Sequence, residues 1–354
     1  MSNTRVGLDI STSCVRAVQL SVKDDAFRLD RFGQMPLPLG AVANGEVKDI
    51  EAVGAAIKHL WKQAKIKSKR VSIGVASQRV VVRQVDIPYV DPGDRAKSLP
   101  LVVADQVPMP IDETVLDFVP LQTIQGAEGA YLSRGLLVAA AEDAILNSIL
   151  AAEAGGLQVT DVDLTPFALI RALVRADALG IQQESEAIVD IGATTTNLVV
   201  HTNGIPQFVR ILMMGGQDVT NRLIQDLGVN LPTAESLKRE TAVGDEAGMT
   251  ATSGSPSDVM SDIVLTLVDE IRGSLDYFLA STPVEHLDRI VLTGGGSLVP
   301  GLDERLELAT GLPVRRGFAL SALGPGDSGL TPDHLAFADP LAAAAVGLAI
   351  WGDA

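Results

Sequence analysis

The sequence predicts a mixed α/β protein made of two related halves, with a smaller α+β unit inserted into the first. Three observations predict it. Val6-Gly7-Leu8-Asp9-Ile10 and Val15-Arg16-Ala17-Val18-Gln19-Leu20 read as two apolar strands joined by the small-residue turn Ser11-Thr12-Ser13. The same order of apolar strand, Asp, hydroxyl-rich turn and second strand returns in Ala187-Ile188-Val189-Asp190-Ile191-Gly192-Ala193-Thr194-Thr195-Thr196-Asn197-Leu198-Val199-Val200. A weak repeat spaced about half a chain apart argues for duplicated halves facing each other. The stretch from Gln78 to Asp161 carries a separate set of strands and helices.

The remaining elements follow in order. A third strand lies around Phe27 to Phe32, and Val47, Ile50, Val53, Ile57, Leu60 and Trp61 recur at the spacing of an amphipathic helix. Val71 to Val75 returns to a strand, so the first half reads as a mixed sheet covered by helices. The inserted stretch has a strand (Val80 to Ile87), a helix (Asp94 to Val107), two strands (Val115 to Leu121 and Tyr131 to Ala140) joined by the turn Gln125 to Gly129, and a helix from Glu142 to Ala154. Leu164 to Ala176 reads as a connecting helix. The second half adds a strand (Gln207 to Leu212), a helix (Asp218 to Leu227), a Gly-, Ser- and Thr-rich loop (Gly244 to Pro256), and a long helix marked by Val259, Ile263, Leu267, Ile271, Leu275 and Phe278. The strand Arg289 to Thr293 runs into Gly294-Gly295-Gly296, and an Ala-rich helix from Pro340 closes the chain.

Composition excludes several functions. At 354 residues the chain exceeds one compact core, and its 47% hydrophobic content is ample for two. The formal net charge of -16 disfavours nucleic acid and anionic lipid as direct partners. The basic run Lys65-Ile66-Lys67-Ser68-Lys69-Arg70 falls between a helix and a strand and reads as a solvated loop. The one cysteine, Cys14, permits no internal disulfide and fits a reducing compartment as a small buried residue. No signal-peptide hydrophobic region is visible, and the longest apolar run, Leu341 to Trp351, is about half of the roughly 20 residues a spanning helix needs. A cytoplasmic protein is the expectation.

Three loops carry the chemistry. A strand that ends in Asp and turns through hydroxyl residues sets backbone N–H groups and hydroxyls around a phosphate. Its carboxylate is poised to hold Mg²⁺ through water, since that ion keeps much of its hydration shell. Either turn alone is also an ordinary Asp-capped β-turn. The third loop, Leu292-Thr293-Gly294-Gly295-Gly296-Ser297-Leu298-Val299-Pro300-Gly301-Leu302, joins a buried strand to an expected helix start. Glycines let backbone approach a flat base or a phosphate closely, and a helix N-terminus favours negative charge. No Walker A sequence and no GxGxxG occurs, so P-loop and Rossmann readings lack their residues.

The order Asp-turn, Asp-turn, Gly-Gly-Gly resembles the phosphate 1, phosphate 2 and adenosine motifs of the actin, Hsp70 and sugar-kinase superfamily. Within it, a subdomain inserted at Gln78 to Asp161 resembles those of the FtsA and PilM families. Ala104-Asp105-Gln106-Val107-Pro108-Met109-Pro110-Ile111-Asp112-Glu113-Thr114-Val115-Leu116-Asp117-Phe118 and Asp161-Val162-Asp163-Leu164-Thr165-Pro166-Phe167-Ala168-Leu169 are similar to stretches of the PilM family of type IV pilus assembly. The likeness runs from Gly7 to Ile350 and favours PilM over FtsA. FtsA-like proteins carry a C-terminal linker and a membrane-docking amphipathic helix, which the stretch ending at Gly352-Asp353-Ala354 does not resemble.

The resemblance implies an actin-like ATPase fold of two RNase H-like halves around a nucleotide cleft. Residues 1–77, completed by 162–184 and 336–354, would form the first half, 78–161 the inserted subdomain, and 185–335 the second half, with its smaller subdomain at about 230–286. ATP and Mg²⁺ are the implied ligands. Asp9, Ser11, Thr12, Ser13 and Arg16 match the first phosphate loop; the family often has Gly where Ser11 stands and Lys where Arg16 stands. Asp190, Gly192, Ala193, Thr194, Thr195 and Thr196 match the second, with Asp190 and Asp9 as metal candidates. Gly294, Gly295, Gly296 and Ser297 would border adenosine. Glu235 and Lys238, at helical i, i+3 spacing, match ribose and purine contacts and also suit a surface ion pair. Gly215 and Gly216 stand either near the nucleotide or in packing. No residue identifies itself as a water-orienting group, and His59, His201, His286 and His334 read as surface or capping residues. Slow ATP hydrolysis at most is the expectation.

PilM-family proteins bind the cytoplasmic N-terminal tail of the inner-membrane protein PilN in a groove between the first subdomain and the inserted one. The implied role is therefore a scaffold recruited indirectly to the inner face of the cytoplasmic membrane. Other pilus platform proteins, the pilus motor and self-association are further implied contacts. An FtsA-like filament protein of cell division, and a small-molecule kinase of the same superfamily, are the alternatives.

Overall fold

The computed structural model describes residues 4–23, 26–126, 129–174, 184–243, 254–324, 326 and 328–351. The chain opens with β1 (Thr4–Ile10), β2 (Cys14–Lys23) and β3 (Ala26–Pro36), then a short hairpin of β4 (Val42–Ala43) and β5 (Glu46–Val47). Helix α1 (Ile50–Ala64) and β6 (Arg70–Val75) follow. Asp49 caps α1 by accepting the Ala52 N–H at 2.9 Å, and Val53, Ile57, Leu60 and Trp61 bury one face, as their helical spacing requires. The inserted unit holds β7 (Val80–Pro88), α2 (Pro92–Val103), β8 (Thr114–Gln125) and β9 (Tyr131–Ala141). The chain returns through α3 (Glu142–Ala154), β10 (Gln158–Leu164) and α4 (Thr165–Leu173).

The second half starts with β11 (Ser185–Ile191), β12 (Thr196–Thr202) and β13 (Ile205–Leu212). Helices α5 (Gly216–Leu227), α6 (Leu231–Glu240) and α7 (Pro256–Ser281) precede β14 (Arg289–Thr293), α8 (Leu302–Thr310) and β15 (Val314–Arg316). The chain ends in α9 (Pro332–Ala338) and α10 (Ala343–Ile350). Most of the loop expected over Gly244 to Pro256, and part of the turn at Gln125 to Gly129, lie outside the described residues.

The repeat read from the sequence is a repeat of topology. One five-stranded sheet runs β10-β6-β1-β2-β3, and the other runs β15-β14-β11-β12-β13. Both consist of an antiparallel meander followed by two parallel strands at the same edge. Between the sheets lie α4 and α10. A continuous core joins Val18 and Leu20 of the first sheet to Ile188, Val199 and Val291 of the second through Leu169, Ala342, Ala345 and Val346. Small side chains make this possible, since at Gly347 a Cβ would run into the backbone of Ala168.

Two expectations change here. The sequence expectations include no strand at β10, and the boundary at 161 assigns α3 and the first four residues of β10 to the insert. In the structure β10 pairs with β6, and Ala151, Ala152 and Leu157 join the core of the first sheet. The insert proper is the sheet β7-β9-β8 with α2 packed on it through Leu99 and Val103. The closing helix expected from Pro340 begins instead at Ala343, after a 3₁₀ turn over Asp339–Leu341. The buried Asp339 holds that turn by accepting the Leu320 N–H at 2.7 Å and the Ser321 N–H at 3.1 Å. Among the described residues no single helix is long and apolar enough to cross a membrane; Pro332–Leu341 and Ala343–Ile350 meet that test only as a pair bent by 81°. Residues Ala343 to Ala349 are buried in the shared core.

Candidate functional site

The two Asp-turns occupy equivalent corners of their sheets. Register sets Asp9 opposite Arg16 on β1 and β2, and Asp190 opposite Asn197 on β11 and β12. Residues opposite each other on an antiparallel pair share a face, so each aspartate meets its partner. In the first hairpin Ser11 Oγ donates to Asp9 Oδ2 at 2.6 Å, and Arg16 Nη1 donates to Asp9 Oδ2 and to Ser11 Oγ, each at 3.3 Å. In the second, Asn197 Nδ2 donates to Asp190 Oδ2 at 3.0 Å, and Asp190 has no ion pair among the described residues. Burial pushes the Asp190 carboxyl up to about 6; the Asn197 hydrogen bond opposes this and the facing Asp9 charge adds to it. The turns themselves touch, with Thr12 Oγ1 and Thr194 Oγ1 2.7 Å apart.

The glycine-rich loop closes the same corner. β14 runs parallel to β11 with Thr293 beside Asp190, so the chain leaves the strand next to the carboxylate. Gly294 has φ +87°, and a Cβ there would lie 2.6 Å from Asp190 Oδ1, so only glycine fits. The helix start expected after the glycines is a 3₁₀ turn, Gly295–Leu298, and α8 begins only at Leu302. Pro300 has no N–H to extend a helical ladder, and Gly301 takes φ +84°. The helix N-terminus at the site belongs instead to α5. Its Gly216 and Gln217 N–H groups donate to Gly192 O at 2.9 Å and Ala193 O at 2.7 Å, fixing the second turn.

Between the halves lies a cavity of about 460 Å³, within the range of small-molecule and cofactor sites. Of the expected residues, Asp9, Ser11, Thr12, Ser13, Arg16, Asp190, Gly192, Ala193, Thr195, Gly216, Glu235, Lys238, Gly294, Gly295 and Gly296 line it. Thr194, Thr196, Gly215 and Ser297 are not in its wall. Thr194 makes the contact to Thr12, and Thr196 donates to Met214 O at 2.8 Å from a fully buried position. Gly215 packs on the second turn, where a Cβ would lie 2.7 Å from Ala193 O, and Ser297 Oγ donates to Gly294 O at 2.6 Å.

Glu235 and Lys238 face the cavity and also pair with each other. Lys238 Nζ donates to Glu235 Oε1 and Thr220 Oγ1, each at 2.7 Å, and to Gly216 O at 3.2 Å. Burial pushes the Glu235 carboxyl up, but Lys238 and Thr220 outweigh it and leave it below its ordinary value. The sequence reading missed Asn197, Gln34, Gln217 and an apolar wall of Leu231, Leu298, Val299, Phe337 and Leu341. Asn197 was findable, because its spacing from Asp190 repeats that of Arg16 from Asp9. The apolar wall had no local signal, since it is assembled from separate elements.

The histidines contribute nothing to the cleft. His59, His286 and His334 are exposed, as expected. His201 caps the β12–β13 turn, its Nδ1 accepting the Gly204 N–H at 3.2 Å, but it is buried rather than on the surface. Its Nε2 lies 3.2 Å from Glu186 Oε2, at the opposite end of β11 from Asp190. Cys14 is a buried thiol whose pKa is raised by burial, as its apolar setting predicted.

No group of three or more His, Cys, Asp or Glu side chains with metal-binding geometry occurs among the described residues. An ion held here needs ligands beyond the protein, which suits Mg²⁺, an ion that takes one or two carboxylates and completes its shell with water and phosphate. Asp190, charged only against a burial penalty and with no ion pair among the described residues, fits that ion. Asp9 faces it but is already engaged by Arg16.

Comparison with known proteins then decides the family. A family profile described as "Type IV pilus assembly protein PilM" matches residues 7–352. The chain belongs to the PilM family. A solved structure, "PilM-PilN type IV pilus biogenesis complex", is similar at TM-score 0.85 and 25% identity, covering 98% of this chain and 97% of that one. The cell division protein FtsA of Neisseria meningitidis serogroup B is 29% identical over 372 residues, spanning 92% of this chain and 86% of FtsA. MreB5 of Spiroplasma citri bound to ADP shares the fold at TM-score 0.52 and 16% identity, over 90% of this chain and 93% of that one. The PilM family member described here therefore has the actin-like fold, with an FtsA-type inserted unit, and belongs to type IV pilus assembly.

Proposed function

We propose that this chain is a nucleotide-gated scaffold of type IV pilus assembly, binding Mg²⁺-ATP between its halves and reaching the inner membrane through the cytoplasmic N-terminal tail of a PilN-like protein. The single observation that carries the nucleotide reading is the convergence of both Asp-hairpins and the Gly294 turn on one cavity. Asp190 would hold the ion, with Asp9 facing it. The bound ion supplies positive charge against the phosphates. The hydroxyls of Ser11, Thr12, Ser13 and Thr195 and the Arg16 guanidinium would hold phosphate oxygens. Gly295 and Gly296 offer flat backbone to a base, with Leu298, Val299 and Phe337 as apolar neighbours and the Glu235–Lys238 pair positioned for a ribose.

The partner reading is supported by family membership and by the likeness to a PilM-PilN complex. Localisation at the cytoplasmic face follows from that partner. Contacts with other platform proteins or the pilus motor rest on the same family membership. The FtsA relatives, cell division proteins by name, favour one second reading, an FtsA-like cell-division protein that would form filaments. Isothermal titration tests the proposal: Mg²⁺-ATP should bind, and a labelled peptide copying a PilN-like N-terminus should bind with an affinity that differs between ATP-bound and nucleotide-free protein. No heat with ATP up to about 1 mM sinks the nucleotide reading. Filaments that form on lipid without the peptide favour the second reading.

A further inference from the structure

The inserted unit joins the first half through two crossings, one entering β7 after Ala76 and one leaving β9 into α3. Arg79, at the entering crossing, grips both. Its Nε and Nη2 donate to Glu46 Oε1 and Oε2 at 2.7 and 3.0 Å, and its Nη2 also reaches Asp143 Oδ2 at 3.0 Å, in the first turn of α3. The backbone repeats the tie, since the Ala141 N–H donates to Arg79 O at 3.2 Å. Glu46 is 6% exposed, so its two hydrogen bonds from Arg79, with a third from Lys48 Nζ at 2.9 Å, hold a carboxylate that cannot simply be released to water. Both Glu46 and Asp143 sit below the ordinary carboxylate range, chiefly because Arg79 hydrogen-bonds them.

Glu46 belongs to the β4–β5 hairpin, and its neighbours Gly45 and Val47 line the cavity between the halves. The hairpin is pressed against the entering crossing. Gly45 takes φ +75°, a Cβ there would lie 2.8 Å from Ser77 Cα, and the Gln78 N–H donates to Asn44 O at 3.3 Å. Asn147 Nδ2 of α3 donates to Val47 O at 3.4 Å from the other side. One short hairpin thus faces the cleft with two residues and the insert's hinge with the residue between them.

We propose that the Glu46–Arg79–Asp143 strap couples occupancy of the cleft to the inserted unit, with Arg79 as a positioning residue that ties both of its crossings to the cleft wall. The proposal rests on the nucleotide reading above. A ligand that shifts Gly45 or Val47 moves Glu46, and Arg79 carries the shift to both crossings at once, so the insert responds as one body. A strap of this kind works because packed elements hold discrete arrangements and do not yield continuously.

Hydrogen exchange of the full chain, with ATP affinity measured alongside by titration, tests it. In the wild type, Mg²⁺-ATP should slow exchange in β7 and β9 by at least about fivefold, the lower end of typical coupling between sites. Arg79→Gln should bind ATP within about threefold of the wild type, being outside the cavity, and lose that protection. Asp143→Asn, at an exposed carboxylate, should weaken the protection without the risk to folding that accompanies leaving the buried Glu46 with Lys48 alone. Protection that persists in Arg79→Gln and Asp143→Asn overturns the strap. ATP binding without any change in β7 and β9 of the wild type overturns it too, while leaving the nucleotide site intact. Absence of ATP binding in the wild type overturns both readings together.

Discussion

At the cleft, the first hairpin sets an arginine opposite its aspartate and the second sets an asparagine there. The backbone is the same in both, down to the register that brings the pair face to face. The chemistry differs. Asp9 has an internal counterion in Arg16 at 3.3 Å, whereas Asp190 has a neutral amide and a carboxyl raised to about 6 by burial. The shared hairpin register sets where the two carboxylates lie, and the residue opposite each decides which of them has an ion pair. The cleft is asymmetric in charge within a symmetric fold.

The largest expected effects break the Asp190 side of this comparison. Asp190→Ala should leave the fold intact and cost about 3 kcal/mol of Mg²⁺-ATP binding, as loss of a charge partner in a recessed site does, which is about 100-fold in Kd by titration calorimetry. An unchanged Kd would remove Asp190 from the metal role. Asp190→Asn should lose the same affinity yet stabilise the apo protein at pH 7.5 by about 1–3 kcal/mol in urea unfolding. The sign follows from the raised carboxyl. Between the unfolded value near 3.8 and the folded value of about 6, the native state holds a proton that the unfolded state has released. The contribution of Asp190 to stability is therefore full below about pH 4 and is lost as pH rises through about 6. The advantage of Asp190→Asn should be near zero at pH 4 and reach its plateau above pH 6. A pH-independent difference would mean that burial does not penalise the charge.

The matching change in the first hairpin should have the opposite sign on stability. Arg16→Met removes the counterion of a largely buried carboxylate and should lower stability by about 1–3 kcal/mol. It should also weaken ATP by about tenfold, the worth of one charge-assisted hydrogen bond to phosphate, with and without Mg²⁺. If Arg16→Met and Asp190→Asn shift the urea midpoint in the same direction, the asymmetry is wrong.

The sequence exposed this site because its carriers are local. Asp9 with Ser11-Thr12-Ser13, Asp190 with Gly192, Ala193 and Thr195, and Gly294-Gly295-Gly296 are each read within a few residues, and all three groups reach one cleft. The repeat likewise announced the paired sheets. What stayed hidden was whatever tertiary packing decides. The polar and apolar alternation of Gln158 to Leu164 did not declare a strand beside β6, and the apolar wall of Leu231, Leu298, Phe337 and Leu341 comes from three separate segments. Pro300 could have corrected the expected helix start, because a proline two residues before Leu302 marks a break that the run of glycines had drawn attention away from.

The smallest expected effect sharpens the comparison most finely, at Asn197. Its amide donates to Asp190 Oδ2 and is the larger of the two influences, Asn197 and the Arg16 charge, that hold the raised carboxyl down. Asn197→Ala removes that donor without changing charge, so Asp190 should titrate above about 6 while Asp9 and Arg16 are untouched. Metal binding needs the ionised carboxylate. At pH 8 the variant should bind Mg²⁺-ATP nearly as the wild type does, and at pH 6.5 it should bind about threefold more weakly, with the midpoint of the pH profile moved upward. Equal losses at both pH values would mean that Asn197 contacts the ligand directly and does not act through Asp190. Replacing Asn197 with Arg, to copy the first hairpin, should instead lower the Asp190 carboxyl and flatten the profile, at the cost of competing with the metal for the same oxygen.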